Sequence, residues 1–402
     1  MLTLVKITMN FYHQRSRVQS HKKETTNQKI LVYRSSIAIV RIINIYMWLH
    51  GIGYIEKLKR GFTNFSQLFL SFVLLFIFEG CTMYFIFDHL ALMIENGKQN
   101  KESIFLLILP MIDWLLRILL YRKRKVFMFI AQKVFNKYCI TFSHKVQKFC
   151  VALILIFMSN DVLDIIMYFY QSVVETGKLF GSHKNNYYFG MLRPTLSTIV
   201  YYLIMFVLYW TSMMSFVPIY FCSLCFALKN ILRESRRKLV HEKNITLQHL
   251  FETYNETADL ISYINHNIHS VLLSTFTVLL GSVFYYAYLI IFAESELASR
   301  QLHCYIYLVT YFTMFALMCL FASAVTNAAA DFEDAILNQP IIRKNRDTDF
   351  RDVQFLLKIK GRFVGFMLLD SLVINKGLIL AATGSLLTYG LMIATFNINS
   401  KQ

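Results

Sequence analysis

Apolar residues pool into seven runs, at about 65–87, 103–121, 148–171, 192–228, 270–293, 303–325 and 371–396, with polar stretches between them. Each run is long enough to cross a hydrocarbon core of about 30 Å as a helix. The pattern therefore predicts an all-α membrane protein with seven transmembrane helices. A further run, 37–55, is interrupted by Arg41, His50, Gly51 and Gly53 and reads as an interfacial or re-entrant helix. The fourth run, 192–228, would be about 55 Å long as a helix, so it must tilt or project beyond the bilayer. Pro194 suits a first helical turn and Pro218 predicts a kink. In 229–269, Leu247, Leu250, Phe251, Tyr254, Ala258 and Ile261 recur at helical spacing among charges. They predict a helix that prolongs the membrane helices and packs against them. The stretch 326–369 has an acidic cluster (Asp331, Glu333, Asp334), a break at Pro340, and apolar spacing again from Phe350 to Leu369, and it predicts a helical linker.

The basic residues fix an orientation. The stretches 1–64, 121–148, 229–269 and 326–369 hold 32 Lys and Arg, against 6 in 88–102, 172–192, 294–302 and 397–402. Lys and Arg beside membrane segments stay in the cytosol, which places the N-terminus inside and the C-terminus outside. Counting 37–55 as a span would reverse this phase. The composition agrees, with 56 % hydrophobic residues and a mean hydropathy of +0.46. The net charge of +17 would suit nucleic acid in a soluble chain. Here it flanks spans and faces anionic inner-leaflet lipid, so no nucleic-acid partner is expected. No cleavable signal peptide is evident at the start, where Lys6, Arg15, Arg17, Lys22 and Lys23 interrupt any apolar core.

Chemistry-bearing residues are sparse. Of seven cysteines, Cys139, Cys150, Cys222, Cys225 and Cys319 fall on the inner side, and nothing pairs Cys81 with Cys304. Cys222 and Cys225 form C-x-x-C in an apolar helix without a second pair, which reads as helix packing rather than zinc. The sequons at Asn64, Asn244 and Asn255 lie on the cytosolic side and should be unused. Asp113 and Arg117 lie i, i+4 and can neutralise each other. Asp161 and Asp164 lie i, i+3, with Tyr168 one turn further. Two such carboxylates cannot both ionise cheaply in low dielectric, so either helix packing or a ligand explains them. His266 and His269 lack a third ligand and read as solvated or capping.

Aromatics gather in the outer halves of the spans: Tyr168 and Tyr170; Tyr201, Tyr202 and Trp210; Phe284, Tyr285, Tyr286 and Tyr288; Tyr305, Tyr307 and Tyr311. An interfacial belt accounts for those at the span ends. A small-molecule pocket, which needs apolar faces with a few hydroxyls, is the other reading. The best pocket candidates are Asp164, Tyr168, Tyr202, Trp210, Tyr285, Tyr286 and Tyr307.

The last run is the least greasy. Gly377, Ala381, Gly384, Thr388 and Thr395 fall on one helical face. Close packing between helices and the lining of a pore on a symmetry axis both account for such a stripe. Asn375 and Lys376 break the run at its inner end, where an inner vestibule would begin.

Thr388-Tyr389, five mostly apolar residues and Thr395-Phe396 resemble the C-terminal signature of insect gustatory receptors, T-Y, five residues, Q-F. Gly365 to Asp370 is similar to that family's G-x-x-x-x-D approach to the last span. Length, seven spans and the long fourth span also match; the specific motif covers about 30 residues, and Thr395 stands where Gln is usual. The resemblance implies a tetrameric ligand-gated channel for monovalent and divalent cations, opened by a small-molecule tastant, in the plasma membrane of chemosensory neurons. It implies a pocket and anchor helices within 65–325, a cytosolic linker over 326–370, a pore-lining helix over 371–396 and an external tail over 397–402. Thr395 and Phe396 would form the constriction, Thr388 and Tyr389 would brace the last helix, and Gly384 would face the pore. Homomers and heteromers with related receptors both fit.

Two other classes fit less well. A metabotropic seven-helix receptor needs an external N-terminus, and the D-R-Y-like and N-P-x-x-Y motifs are missing. A transporter or membrane enzyme finds support only in Asp161 and Asp164. No inverted repeat, zinc spacing, nucleophile elbow or phosphate-binding glycine loop is visible, so neither catalysis nor a cofactor is expected.

Overall fold

A computed structural model describes residues 101–137, 152, 211–241, 247–292, 298–338, 362–369 and 371–400. Its elements are α1 (Lys101–Lys137), α2 (Thr211–His241), α3 (Leu247–Phe292), α4 (Ala298–Leu337), the strands β1 (Met367–Leu368) and β2 (Leu372–Val373), and α5 (Lys376–Ser400). The run at 65–87, the run at 148–171 apart from residue 152, the segment 37–55 and the stretch 153–210 lie outside these described residues.

Three of the helices, α1, α3 and α4, are longer than the apolar runs that predict them. With 46 and 40 residues, α3 and α4 extend about 69 and 60 Å, twice the hydrocarbon thickness. The apolar run 270–293 and the amphipathic stretch before it are thus one continuous α3. Tyr254, Ala258 and Ile261 all lie on its buried side, as the spacing predicts. In the same way α1 continues through the basic residues 122–125 to Lys137, and α2 continues through Lys229 to His241. Charge ends the membrane segment but not the helix, since Lys and Arg are good helix formers. Pro218 lies inside α2, which is continuous through it. Among the described residues, three stretches are long and apolar enough to cross a membrane: Phe216–Leu239, Glu252–Ile291 and Cys304–Leu337.

Ring contacts set the packing. Tyr254–Phe332, Phe276–Phe315 and Tyr286–Tyr307 have centroids 5.8, 5.7 and 4.9 Å apart. As the number falls on one helix it rises on the other, so α3 and α4 are antiparallel along nearly their whole length. Against α2 the sense is reversed: Phe226 meets Phe321 at 6.1 Å and Arg236 meets Asp331 at 3.3 Å. Both pairs are 95 residues apart, the mark of a parallel pair in register. The core therefore centres on α4, with Phe315, Met318, Cys319, Ala322, Val325 and Phe332 fully buried. Small residues such as Ala322, Ser323, Ala328 and Ala329 let its neighbours approach closely. In α3, Thr257, Thr275 and Thr277 donate to carbonyls one turn back, at 2.8, 2.8 and 2.9 Å, which keeps each hydroxyl paired on a long helix. The C-x-x-C cysteines, Cys222 and Cys225, are buried on α2 and form no disulfide, and the same holds for Cys304 and Cys319 on α4.

The expected helical linker is not helical at its end. There β1 and β2 pair as a two-stranded antiparallel hairpin with Met367 opposite Val373 and Leu368 opposite Leu372. Leu369, at its tip, has φ 53°, a left-handed conformation that ends any helix. Apolar spacing over Phe350 to Leu369 misleads here, because Phe366 and Leu368 are buried against the bundle by the alternation of an extended chain.

Candidate functional site: the aromatic stack and the last helix

The short connection between α3 and α4 (293–297) makes aromatics near both helix ends meet. Tyr286 stacks on Tyr307 at 4.9 Å and 10°, and on Tyr311 at 5.8 Å and 12°. Tyr307 and Tyr311, one turn apart on α4, are themselves 5.8 Å apart and 13° from parallel. Tyr285 meets the edge of Tyr286 at 5.3 Å. All four are buried, whereas Tyr305, on the opposite side of α4, is exposed. The structure thus separates two kinds of tyrosine that sequence leaves mixed: a core stack and a surface residue of the sort an aromatic belt uses. It brings together the predicted pocket residues Tyr285, Tyr286 and Tyr307, and adds Tyr311, which its i, i+4 spacing from Tyr307 would have picked out. Asp164, Tyr168, Tyr202 and Trp210 lie outside the described residues, as do Asp161 and the side chain of Asp113. Arg117 is buried and engaged.

Among the described residues, the last helix, α5, packs on the bundle along one side. Leu378, Ile379, Ala382 and Leu386 pack on the core, and Tyr389 meets Phe284 of α3 edge-on at 6.2 Å and 87°. The stripe of Gly377, Ala381, Gly384, Thr388 and Thr395 is exposed throughout. At 3.6 residues per turn it lies roughly 150° around the helix from that packed side. A Cβ added to Gly384 would meet nothing within 4 Å. Close packing inside one subunit therefore does not explain the stripe. Its hydroxyls and their neighbours are satisfied along the helix itself: Thr388 Oγ1 donates to Gly384 O at 2.9 Å, Ser385 Oγ to Ala381 O at 2.9 Å, and Thr395 Oγ1 to Met392 O at 3.0 Å. Tyr389 keeps this one edge contact with Phe284 while its side chain is largely exposed, and Thr388 faces away from the subunit. The side chain of Phe396 lies outside the described residues.

At the start of α5, Asn375 Oδ1 accepts from the Leu378 amide at 3.2 Å and caps the helix. Its exposed neighbour Lys376 shares a cleft with Lys229 and Arg233 of α2. Just before it, the hairpin is fastened to the bundle by residues that sequence reading missed. Asn265 on α3 is buried and spans two backbone groups: its amide donates to Gly365 O at 2.8 Å, and its carbonyl accepts from the Met367 amide at 3.4 Å. Phe366 is fully buried edge-on against Phe221 of α2 at 4.9 Å, and Arg362 pairs with Asp259 at 2.6 Å. The hairpin thus touches α2 and α3, and α5 begins nine residues after Met367, which docks on Asn265.

No protein-family model matches this sequence, and no similar curated protein is found. Among solved structures, the chain is similar to the insect olfactory receptor OR5 from Machilis hrabei in complex with eugenol, with a TM-score of 0.70 at 13 % identity, over 90 % of this chain and 99 % of that one. A second structure of the same receptor gives 0.69 at 11 %, over 90 % and 98 %. The chain has the fold of that receptor.

Proposed function

We propose that this chain is a gustatory receptor subunit: a ligand-gated, non-selective cation channel opened by a small-molecule tastant. The observation that carries this reading is the last helix. Its small, weakly polar stripe faces away from its own subunit, and the stripe carries Thr388 and Thr395 of the T-Y-x5-T-F signature. A surface of that kind is completed by other copies around an axis, with Gly384, Thr388, Thr395 and Phe396 towards a pore. The olfactory-receptor fold supports the same reading, and the signature favours taste over smell. In this proposal seven helices cross the plasma membrane with the N-terminus inside. The Tyr285, Tyr286, Tyr307 and Tyr311 cluster belongs to the tastant pocket, and four subunits, alike or mixed with related receptors, assemble the channel.

Two measurements test it. The full chain, expressed alone in a cell without chemoreceptors, should carry cation current on exposure to some member of a tastant panel, without nucleotides or G proteins. A C-terminal epitope should be accessible on intact cells. A tag that is seen only after permeabilisation, or an agonist response that requires G proteins, overturns the proposal.

A further inference from the structure

Where α2, α4 and the start of α5 meet, they enclose a cleft of about 410 Å³, within the range of small-molecule sites. Its two ends differ in chemistry. Lys229, Arg233 and Lys376 line one end, and Leu317, Leu320 and Phe321 the other. The in-register pairing of α2 with α4, offset by 95 residues, places Lys229 level with Ala324 and Arg233 level with Ala328. The apolar wall at 317–321 therefore lies one to three turns from Lys229 and Arg233, towards the apolar half of α4, and Leu320 is 41 % exposed there.

Among the described residues, the cations of the cleft lack sufficient counter-charge. The cleft contains one carboxylate, Asp331, and that carboxylate is held at 3.3 Å by Arg236. Lys229 lies 6.0 Å above the ring of Phe226. Asn327 adds an amide at the same level. The geometry points to a binding site for an acidic glycerophospholipid of the inner leaflet, its phosphate held between Lys229, Arg233 and Lys376 and an acyl chain lying along Leu317, Leu320 and Phe321. A free phosphate would leave the apolar wall unused, and a zwitterionic lipid would leave the excess positive charge unanswered. Because Lys376 opens α5, an occupied site would fix the inner end of that helix against α2 and α4.

The test is photolabelling of the purified full-length protein in phosphatidylcholine nanodiscs doped with a phosphatidic acid that bears a diazirine in its acyl chain. It reads binding alone, so it stands or falls independently of channel activity. Labelling is expected on 317–324 of α4. Arg233→Gln and Lys376→Gln should each lower it about five-fold, the worth of one cation near an anionic lipid surface, while Arg233→Lys keeps most of it. Thermal unfolding of each variant separates lost binding from lost fold, and Lys376→Gln, at an exposed position, serves where Arg233→Gln does not fold. Equal labelling by the diazirine phosphatidylcholine analogue, loss of label on adding excess inorganic phosphate, or no label at 317–324 because a neighbouring subunit covers the cleft, would each overturn the assignment.

Discussion

Asn265 and Gly365 stand 100 residues apart in the chain and are joined by a 2.8 Å hydrogen bond from the side-chain amide to the backbone carbonyl. The same side chain accepts from Met367, so a single buried amide fixes the hairpin that leads into the last helix. Asn265→Ala leaves a buried carbonyl and a backbone amide without partners, at a cost of about 1–3 kcal/mol. The expected outcome is a lower unfolding temperature of the purified protein, together with altered basal current, because the hairpin is the covalent entry to α5. A variant with wild-type unfolding and wild-type current would show that the hairpin is held elsewhere.

Gly365 is tightly enclosed. A Cβ built there would lie 2.7 Å from Thr326 Oγ1 and 2.7 Å from Phe363 Cζ. The Phe363 ring is half exposed and free to swing away, whereas Thr326 is fixed on α4, its hydroxyl directed to Ala322 O at 3.4 Å. Gly365→Ala should therefore destabilise by about 1–3 kcal/mol, the usual cost of overpacking. Adding Thr326→Ala should recover much of that loss. A double-mutant cycle on unfolding free energies measures the coupling, and strictly additive effects would remove Thr326 as the obstacle.

The residues that sequence reading located and those it missed differ in a physical way. The lower half of α3 was legible because Tyr254, Ala258 and Ile261 mark one helical face, and helical periodicity is local. The ends of α1 and α2 were not, because basic residues that terminate a hydrophobic run are themselves good helix formers. The hairpin was hidden by its size: two paired residues per strand leave no alternation to detect, and its stability comes from Asn265 and Phe221, which are remote in sequence. In the last helix the stripe was legible, but its partner was not. Only the position of Leu378, Ile379, Ala382 and Leu386 against the core shows that the stripe faces away from the subunit. Tyr285, Tyr286 and Tyr307 could be named individually, yet their stacking depends on the register of α3 against α4.

Tyr286 and Tyr307 are stacked nearly parallel and buried, so their rings and hydroxyls are separable by substitution. Tyr307→Ala removes a core ring and should cost about 3–5 kcal/mol, seen as poor surface expression and early unfolding. Tyr286→Phe keeps the ring. If the hydroxyl reads the ligand, the half-maximal tastant concentration should rise about five- to ten-fold at unchanged stability, the effect of losing one hydrogen bond. An unchanged concentration–response curve for Tyr286→Phe would restrict that tyrosine to packing.

Gly384 and Thr388 test whether the exposed stripe lines a pore. Inside one subunit nothing approaches Gly384, so Gly384→Ala should stabilise α5 by about 0.5–1 kcal/mol through helix propensity alone. If the stripe were a packing surface, the added methyl would lower stability and leave conduction alone. If it faces a pore, stability holds or rises while single-channel conductance falls, since the methyl narrows the lumen. Thr388→Cys provides a second readout, because the native hydroxyl bonds only to its own helix at Gly384 and its loss disturbs no contact between helices. A small cationic methanethiosulfonate should modify this cysteine during agonist application and reduce the current, and it should react faster with open channels than with closed ones. Modification that proceeds to completion without any change in current would place Thr388 outside the conduction path.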